Sequence, residues 1–273
     1  MRSFISLVCA VEYIENHLRG KISISDVAMA AYLSLSHLQS MFSRTFQLSI
    51  GEYIVKRRLC AAAKELVTTD SSITDIAFDF GYANAESFTR AFKKQFLHAP
   101  SVYRKSHSFS ELYPKLMIKE KEGFDQMKRY DLTEISEKIL ASKGTYIISA
   151  DIDRMDAINK NLGRPAGDAA IAETAARLSS SIQENMYIFR ISGDQFAVLT
   201  NSSDVSVAQE IARKVIALSD RDVTLNGCCF KFTISMGIVM IPLDISDAKA
   251  AIDSADSAML AAKKEGRNCF ATT

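Results

Sequence analysis

Apolar positions recur every three to four residues through the first hundred residues, and the blocks in which they do so match one another. Ile24-Ser25-Asp26-Val27-Ala28 returns as Ile73-Thr74-Asp75-Ile76-Ala77, and Leu38, Phe42, Phe46 and Tyr53 return as Phe88, Phe92, Phe96 and Tyr103, at an offset of 49 residues that grows to 50. Each block opens with Ser or Thr before an acidic residue and an apolar run, which predicts a helix start. A second helix follows within about ten residues. The intervening turns are Tyr32-Leu33-Ser34 and Gly81-Tyr82-Ala83-Asn84, so each copy reads as a helix-turn-helix. Ser49 to Thr68 reads as one longer helix joining the copies, with Tyr53, Leu59, Ala63 and Leu66 on its apolar side and Lys56, Arg57 and Arg58 exposed toward phosphate. Phe4 to Val11 continues its apolar spacing through Tyr13, Ile14 and Leu18 past Glu12 and Glu15, which predicts an amphipathic helix rather than a secretion signal.

Beyond residue 140 the pattern becomes one of strands alternating with helices. Tyr146 to Ala150 reads as a buried strand running into Asp151-Ile152-Asp153. Helices are predicted near 155–161, 167–182 and 205–218, with a last one from Asp247 to about Lys264. Tyr187 to Leu199 reads as a hairpin turning at Ser192-Gly193-Asp194, and further strands are expected around Asn226-Gly227 and from Phe230 to Ile241. The whole chain is therefore expected to be multi-domain: an all-α double helix-turn-helix followed by an α+β domain, a mixed sheet with covering helices. The expected boundaries are 1–106, a partly helical linker at 107–129, and 130–273. The linker is polar and carries the charge run Lys119-Glu120-Lys121-Glu122-Gly123, but Leu112, Leu116, Met117 and Phe124 give it apolar surface to pack.

Charge sharpens this division. Residues 1–106 hold 13 Lys+Arg against 9 Asp+Glu, a balance of +4, and the remainder holds 20 against 23, or −3. A mildly basic helical half joined to a mildly acidic one points to a polyanion partner for the first half alone. No apolar run approaches the ~18 residues that span a bilayer, so no membrane partner is expected. The five cysteines are scattered and lack metal-ligand spacing, which suits a reducing cytoplasm; the adjacent Cys228 and Cys229 read as small hydrophobes.

Residues 5–104 resemble the DNA-binding domain of the AraC/XylS family. The resemblance rests on the duplication and on Ile76-Ala77-Phe78-Asp79-Phe80-Gly81-Tyr82, Ser87-Phe88-Thr89-Arg90-Ala91-Phe92-Lys93-Lys94-Gln95-Phe96 and Pro100-Ser101-Val102-Tyr103-Arg104. It implies that the second helix of each copy enters the major groove of double-stranded DNA, with the two grooves one turn, roughly 34 Å, apart. Helical periodicity leaves Ser36, His37, Gln39, Ser40 and Arg44 outward in the first copy, and Ala85, Glu86, Thr89, Arg90 and Lys93 in the second. Arg90 and Lys93 suit guanine edges or phosphates, and His37 and Gln39 suit base edges. Ser40 stands where such domains often carry Arg, and Gln47 and Leu97 where they often carry Gly.

Asp151, Asp153 and Asp194 lie side by side if the first strand neighbours the hairpin. Such a cluster needs a hard cation such as Mg²⁺ or a hydrogen-bond network, unless the residues are scattered over the surface. Residues 145–270 resemble a GGDEF domain, the family that includes the diguanylate cyclases, which join two GTP molecules into cyclic di-GMP. Four motifs carry the resemblance: Asp151-Ile152-Asp153 with Asn159 and Gly167-Asp168; Arg190-Ile191-Ser192-Gly193-Asp194-Gln195-Phe196; Thr233 to Ile238; and Ala255-Asp256-Ser257-Ala258 with Lys263 and Gly266-Arg267-Asn268. The resemblance implies Asp151, the Ile152 carbonyl and Asp194 as metal ligands, Asn159 and Asp168 as the pair that reads guanine, and Lys263 and Arg267 as phosphate contacts.

The signature itself departs from the family. Ser192 replaces its first Gly, and Gln195 replaces its last acidic residue, a neutral group that serves neither as general base nor as strong Mg²⁺ ligand. Lys160 and Arg164 replace the usual Asp and His, Leu260 replaces an aromatic, and the Arg-x-x-Asp of product-inhibited cyclases is missing at Gln183 to Met186. The expectation is a cytoplasmic, homodimeric DNA-binding regulator whose degenerate GGDEF module senses a guanine nucleotide with Mg²⁺ or serves dimerisation. The alternatives are an active or weakly active diguanylate cyclase tethered to DNA and a purely structural dimerisation module.

Overall fold

The computed structural model describes residues 2–46, 48–105, 110–119, 127–130, 132–225 and 227–273. The chain divides into two compact units, residues 1–94, 98–105 and 113–131, and residues 95–97, 106–112 and 132–273.

The first unit is helical. Its elements are α1 (Arg2–Asn16), α2 (Ile24–Ala30), α3 (Leu35–Phe46), α4 (Ile50–Thr68), α5 (Ile73–Asp79), α6 (Ala85–Phe96) and α7 (Pro100–Lys105). Side-chain caps start the helices where the sequence places Ser: Ser23 and Ser72 accept from the amides of Asp26 and Asp75, and Ser49 forms a reciprocal capping box with Glu52. In the first copy Leu38, Phe42 and Phe46 of α3 are buried against Leu7 and Ile14 of α1 and Val27 of α2. In the second copy Phe88 and Phe92 of α6 are buried, and the Phe92 ring lies 5.3 Å from that of Tyr103.

The basic cluster on α4 is not the free phosphate-facing set that the sequence suggests. Arg57 is buried: its Nε and Nη2 donate to Glu15 at 2.8 and 2.9 Å, and Nη1 donates to the Tyr113 carbonyl at 2.5 Å. Lys56 lies 3.9 Å above the Tyr113 ring, and Arg58 donates to the carbonyls of Leu18 and Gly20. The segment carrying Tyr113 covers α4, and periodicity within one helix does not reveal what another segment lays over it.

The expected partial helix of the linker is also absent among the described residues. They form β1 (Ser110–Glu111), which lies in the second unit, and in the first unit an antiparallel pair, β2 (Leu116–Lys119) and β3 (Met127–Tyr130). Leu112 and Leu116 are both buried, so the apolar positions here anchor an extended chain instead of forming a helical stripe. Phe124 and Glu120 to Gly123 lie outside the described residues.

The second unit contains α8 (Thr133–Ala141), β4 (Tyr146–Ile152), α9 (Met155–Leu162), α10 (Arg164–Ser181), β5 (Tyr187–Arg190) and β6 (Gln195–Leu199). It continues through α11 (Val205–Ala217), β7 (Val223–Leu225), β8 (Cys228–Phe230), β9 (Ile234–Met240), α12 (Ala248–Lys264) and β10 (Phe270–Thr272). The main sheet runs β1-β5-β6-β4-β9-β10. Its central pairs are antiparallel and its two outer pairs, β1 with β5 and β10 with β9, are parallel, which makes it the mixed sheet expected. Strand alternation divides β4 between two layers: Ile147 packs with α8 and α12, and its neighbour Ile148 turns the other way, with α10 and α11 packed across the sheet.

Three local expectations need correction. The strand expected from Phe230 to Ile241 breaks at 231–233, where Thr233 turns its hydroxyl to Asp153. Cys228 and Cys229 are both exposed on the small β7–β8 hairpin, so neither acts as a buried hydrophobe. Helix α8 and strand β10 were not anticipated, since each is short and offers little periodicity.

Candidate functional site

The site is built at the end of β4. Pairing places Asp151 opposite Gln195 of β6 on one side and Ser235 of β9 on the other, so the acidic strand end and the β5–β6 turn meet as the sequence suggests. Arg190, itself buried, holds that turn closed: Nε donates to the carbonyls of Ser192 and Gly193 at 3.2 and 3.0 Å, and Nη1 donates to the Leu112 carbonyl at 2.7 Å. Ser192 and Gly193 are exposed at the tip, and Phe196 is fully buried in the sheet.

The three carboxylates do different things. Asp153 is buried and satisfied, accepting from Thr233 Oγ1 and Ser235 Oγ at 2.7 Å each and from the Asn268 amide at 3.2 Å. It therefore braces the loops around the site. Asp151 pairs with Lys263 of α12. Burial pushes its carboxyl up to about 6, Lys263 pulling down and Asp194 and Asp153 pushing up. Burial likewise raises Asp194, against the pull of Lys263 and Arg190. Ile152 is buried and its amide donates to the Asp194 carbonyl at 3.3 Å.

Two partly desolvated carboxylates with their charges facing one another suit a divalent cation. Among the described residues no group of three or more His, Cys, Asp or Glu is placed to hold a metal. Two carboxylates fit Mg²⁺, which keeps several waters and completes its shell with nucleotide phosphates, better than an ion caged wholly by protein.

Gln195 has other partners. Its Nε2 donates to Asp256 Oδ1 of α12 and, at 3.1 Å, to Ser149 Oγ of β4, while Ser149 Oγ donates to the same Asp256 oxygen at 2.6 Å. Its Oε1 accepts from Ser192 Oγ at 3.2 Å. The amide thus ties the signature turn to α12. Ser149 and Asp256 received no role from the sequence, because pairing across 107 residues leaves no local signal.

The residues assigned to guanine lie where α9 meets α10. Asn159 is half-buried on α9 and packs against Gly167; a Cβ at 167 would fall 2.1 Å from Asn159 Oδ1, so the Asn159 side chain keeps this placement only while residue 167 is glycine. Asp168 follows, exposed on the first turns of α10. Arg267, in the left-handed region at φ 67°, brings Nε to 4.0 Å from Asp153 Oδ1. A separate open cleft of about 520 Å³ lies along the face of α9 that carries Arg154, Ile158 and Asn161, with Phe232 and Arg267 across it. It shares Asp153 and Arg267 with the acidic cluster but not Asn159, Asp168 or Lys263.

In the helical unit, Ser36, His37, Gln39, Ser40 and Arg44 are all exposed on α3. On α6, Glu86, Arg90 and Lys93 are exposed, and Ala85 and Thr89 are half-buried. The turn positions also differ between copies. Gly81 has φ 78°, and its counterpart Tyr32 occupies the same left-handed region at 56°.

A family model described as the GGDEF domain of diguanylate cyclases matches residues 127–269. The chain belongs to the GGDEF family. Ahead of that domain, a helix-turn-helix model matches residues 27–106, and the N-terminal region is of the AraC type. The chain is 42% identical over 94 residues to the regulatory protein SoxS of Salmonella typhimurium, covering 34% of this chain and 88% of SoxS. It is also 42% identical over 98 residues to the Right origin-binding protein of Escherichia coli, 36% of this chain and 34% of that protein. Among solved structures, the GGDEF domain of YfiN (TpbB) from Pseudomonas aeruginosa is 27% identical with a TM-score of 0.47, covering 51% of this chain and 84% of that one. The GGDEF chain thus carries an AraC-type transcription-regulator DNA-binding domain. Among the described residues no helix is long and apolar enough to cross a membrane.

Proposed function

We propose that this protein is a DNA-binding transcription regulator whose GGDEF domain binds a guanine nucleotide together with Mg²⁺, makes no product from it, and uses occupancy to set DNA affinity or self-association. The observation that carries this reading is the commitment of Gln195 to Asp256 and Ser149. A neutral amide in that network accepts no proton from a ribose hydroxyl, so the position usually given to an acid has become a tether. The binding groups beside it persist.

In this reading Asn159 and Asp168 hold guanine, one amide and one carboxylate matching its acceptor O6 and its N1–H and amino donors. Asp151 and Asp194 would hold the cation, which when bound neutralises phosphate charge. Lys263 exchanges its ion pair with Asp151 for the phosphates, and Arg267 adds a second cation from the loop after α12. Arg190 keeps the signature turn fixed while ligand enters. DNA is met by α3 and α6, with Arg90, Lys93 and Arg44 supplying charge and His37, Gln39, Ser36 and Ser40 supplying hydrogen bonds.

Calorimetry of the full chain with GTP and Mg²⁺, followed by chromatography of the same incubation, tests the proposal. Binding without cyclic dinucleotide is the expected result, and Asn159→Ala with Asp168→Ala should abolish it. Absence of binding sinks the reading, and cyclic di-GMP at high protein concentration replaces it with a cyclase. The direct Lys263–Asp151 ion pair favours one further reading, a structural dimerisation module complete without ligand. That reading requires the Asn159 and Asp168 variants to leave DNA binding and transcription unchanged.

A further inference from the structure

The two helix-turn-helix copies are joined by more than α4. The loop after α1, in the first copy, is fastened to the turn of the second. Gly20 N donates to the Asp79 carbonyl at the end of α5 at 2.9 Å, a backbone bond that directly links the copies. From α4, Arg58 reaches the same loop, its Nε donating to the Leu18 carbonyl at 2.9 Å and its Nη2 to the Gly20 carbonyl. Gly81 closes the joint from the other side: a Cβ there would fall 2.7 Å from the Gly20 carbonyl oxygen and 3.0 Å from Arg58 Nη1. Arg19 adds an outer layer, donating to Asp79 at 2.9 Å and to Glu65 at 2.6 Å with its guanidinium 5.2 Å from the Phe80 ring centre.

These contacts differ in weight. Arg19 is 61% exposed, and ion pairs of that kind contribute little. Arg58 instead is half-buried and donates to the part-buried Leu18 carbonyl as well as to the Gly20 carbonyl at the rim, so a side chain without donors would leave the Leu18 carbonyl short of a partner in the joint. The Gly81 approach admits no side chain without moving the Gly20 carbonyl. The joint therefore resists sliding or rotation of one copy against the other, and that relative placement sets where α3 and α6 meet a duplex.

We propose that the Arg58–Gly20–Asp79–Gly81 joint fixes the separation and phase of the two recognition helices, making Arg58 and Gly81 determinants of half-site spacing. In B-DNA each added base pair moves one half-site about 3.4 Å along the axis and turns it by about 35°. A rigid pair cannot follow that displacement, whereas a loosened pair can, at a cost to affinity for the original spacing. Tyr32, at the equivalent turn position of the first copy, is 87% exposed and takes no part in the joint, so the duplication supplies an internal contrast.

The experiment uses the full chain and a duplex selected by it from a random pool, then rebuilt with one or two base pairs inserted between the protected segments. Dissociation constants are measured for each spacing by fluorescence anisotropy, and the readout is the ratio of inserted to original. An inactive or unfolded fraction lowers both affinities equally and leaves the ratio unmoved. The unaltered protein should lose about tenfold or more per insertion, as expected when geometry forbids simultaneous engagement of linked modules. Arg58→Met should bind the original duplex several-fold more weakly and show a ratio of about threefold or less, with Arg58→Lys in between. Arg19→Ala should keep the ratio of the unaltered protein. If Arg58→Met proves unfolded by circular dichroism, Arg58→Lys and Gly81→Ala carry the same comparison. A ratio equal to that of the unaltered protein in every folded joint variant overturns the proposal.

Discussion

At position 195 an amide makes three side-chain contacts, to Asp256, Ser149 and Ser192, in a network that spans β4, the signature turn and α12. The sequence made the loss of an acid visible but not the gain of a tether, because the partners lie far away along the chain. The same holds for Asp153: it was legible as one of three clustered acids, but its bonds from Thr233, Ser235 and the Asn268 amide were not, and they give it a bracing role distinct from that of Asp151 and Asp194. Those two carry the pH dependence. The folded Asp151 carboxyl titrates near 6, above its ordinary value of 3.8, so between these values the folded chain holds a proton that the unfolded chain has released. The unfavourable contribution of the buried charge is thus fully present above about pH 6 and fades as pH falls toward 3.8. A cation must find Asp151 deprotonated, so affinity for GTP with Mg²⁺ should be flat above pH 6 and fall below it, at most about tenfold per unit. Calorimetry at pH 5, 6, 7 and 8 checks this; an affinity that rises on acidification contradicts the assignment of Asp151.

α12 owes its place to one missing side chain. A Cβ on Gly237 of β9 would lie 2.2 Å from both the Ala255 carbonyl oxygen and the Met259 amide nitrogen, backbone atoms that cannot turn aside. The close approach puts Asp256 and Lys263 of that helix over Ser149 and Asp151. Gly237→Ala should therefore destabilise the unit by about 1–3 kcal/mol through overpacking, and weaken nucleotide binding by lifting α12. Gly51, in the first turn of α4, has nothing within 4 Å of such a Cβ, and Gly51→Ala should be neutral or stabilising by about 0.5 kcal/mol. Urea unfolding of the two variants separates these outcomes. Most elements were legible because their apolar period was long enough to register: α4, α10, α12 and the hairpin of β5 and β6 fall within a few residues of expectation. The linker was not, since its buried Leu112 and Leu116 carry no period that distinguishes a strand from a helical turn. Arg57 was misjudged for a related reason, its helix face being covered by the segment around Tyr113.

Across the whole molecule, two units with separate cores share one chain, and the mildly basic one holds the two helix-turn-helix copies. Any nucleotide effect on DNA binding is then a coupling free energy, and it must be reciprocal. If GTP with Mg²⁺ tightens DNA binding by some factor, the DNA complex must bind the nucleotide tighter by that same factor, typically about 5- to 150-fold. Loosening obeys the same equality. A ligand bound equally well by the free chain and by the DNA complex shifts nothing, however tight it is. The expected result is a matched pair of changes: operator affinity with and without saturating nucleotide by anisotropy, and nucleotide affinity with and without operator by calorimetry, both at one salt concentration because phosphate contacts make DNA affinity steeply salt-dependent. Asp168→Ala should remove both changes together and leave the nucleotide-free affinity for DNA intact, since Asp168 lies on α10 in the second unit. Equal nucleotide affinities in the presence and absence of operator would show that occupancy is not reported to DNA and would leave self-association as the quantity it controls.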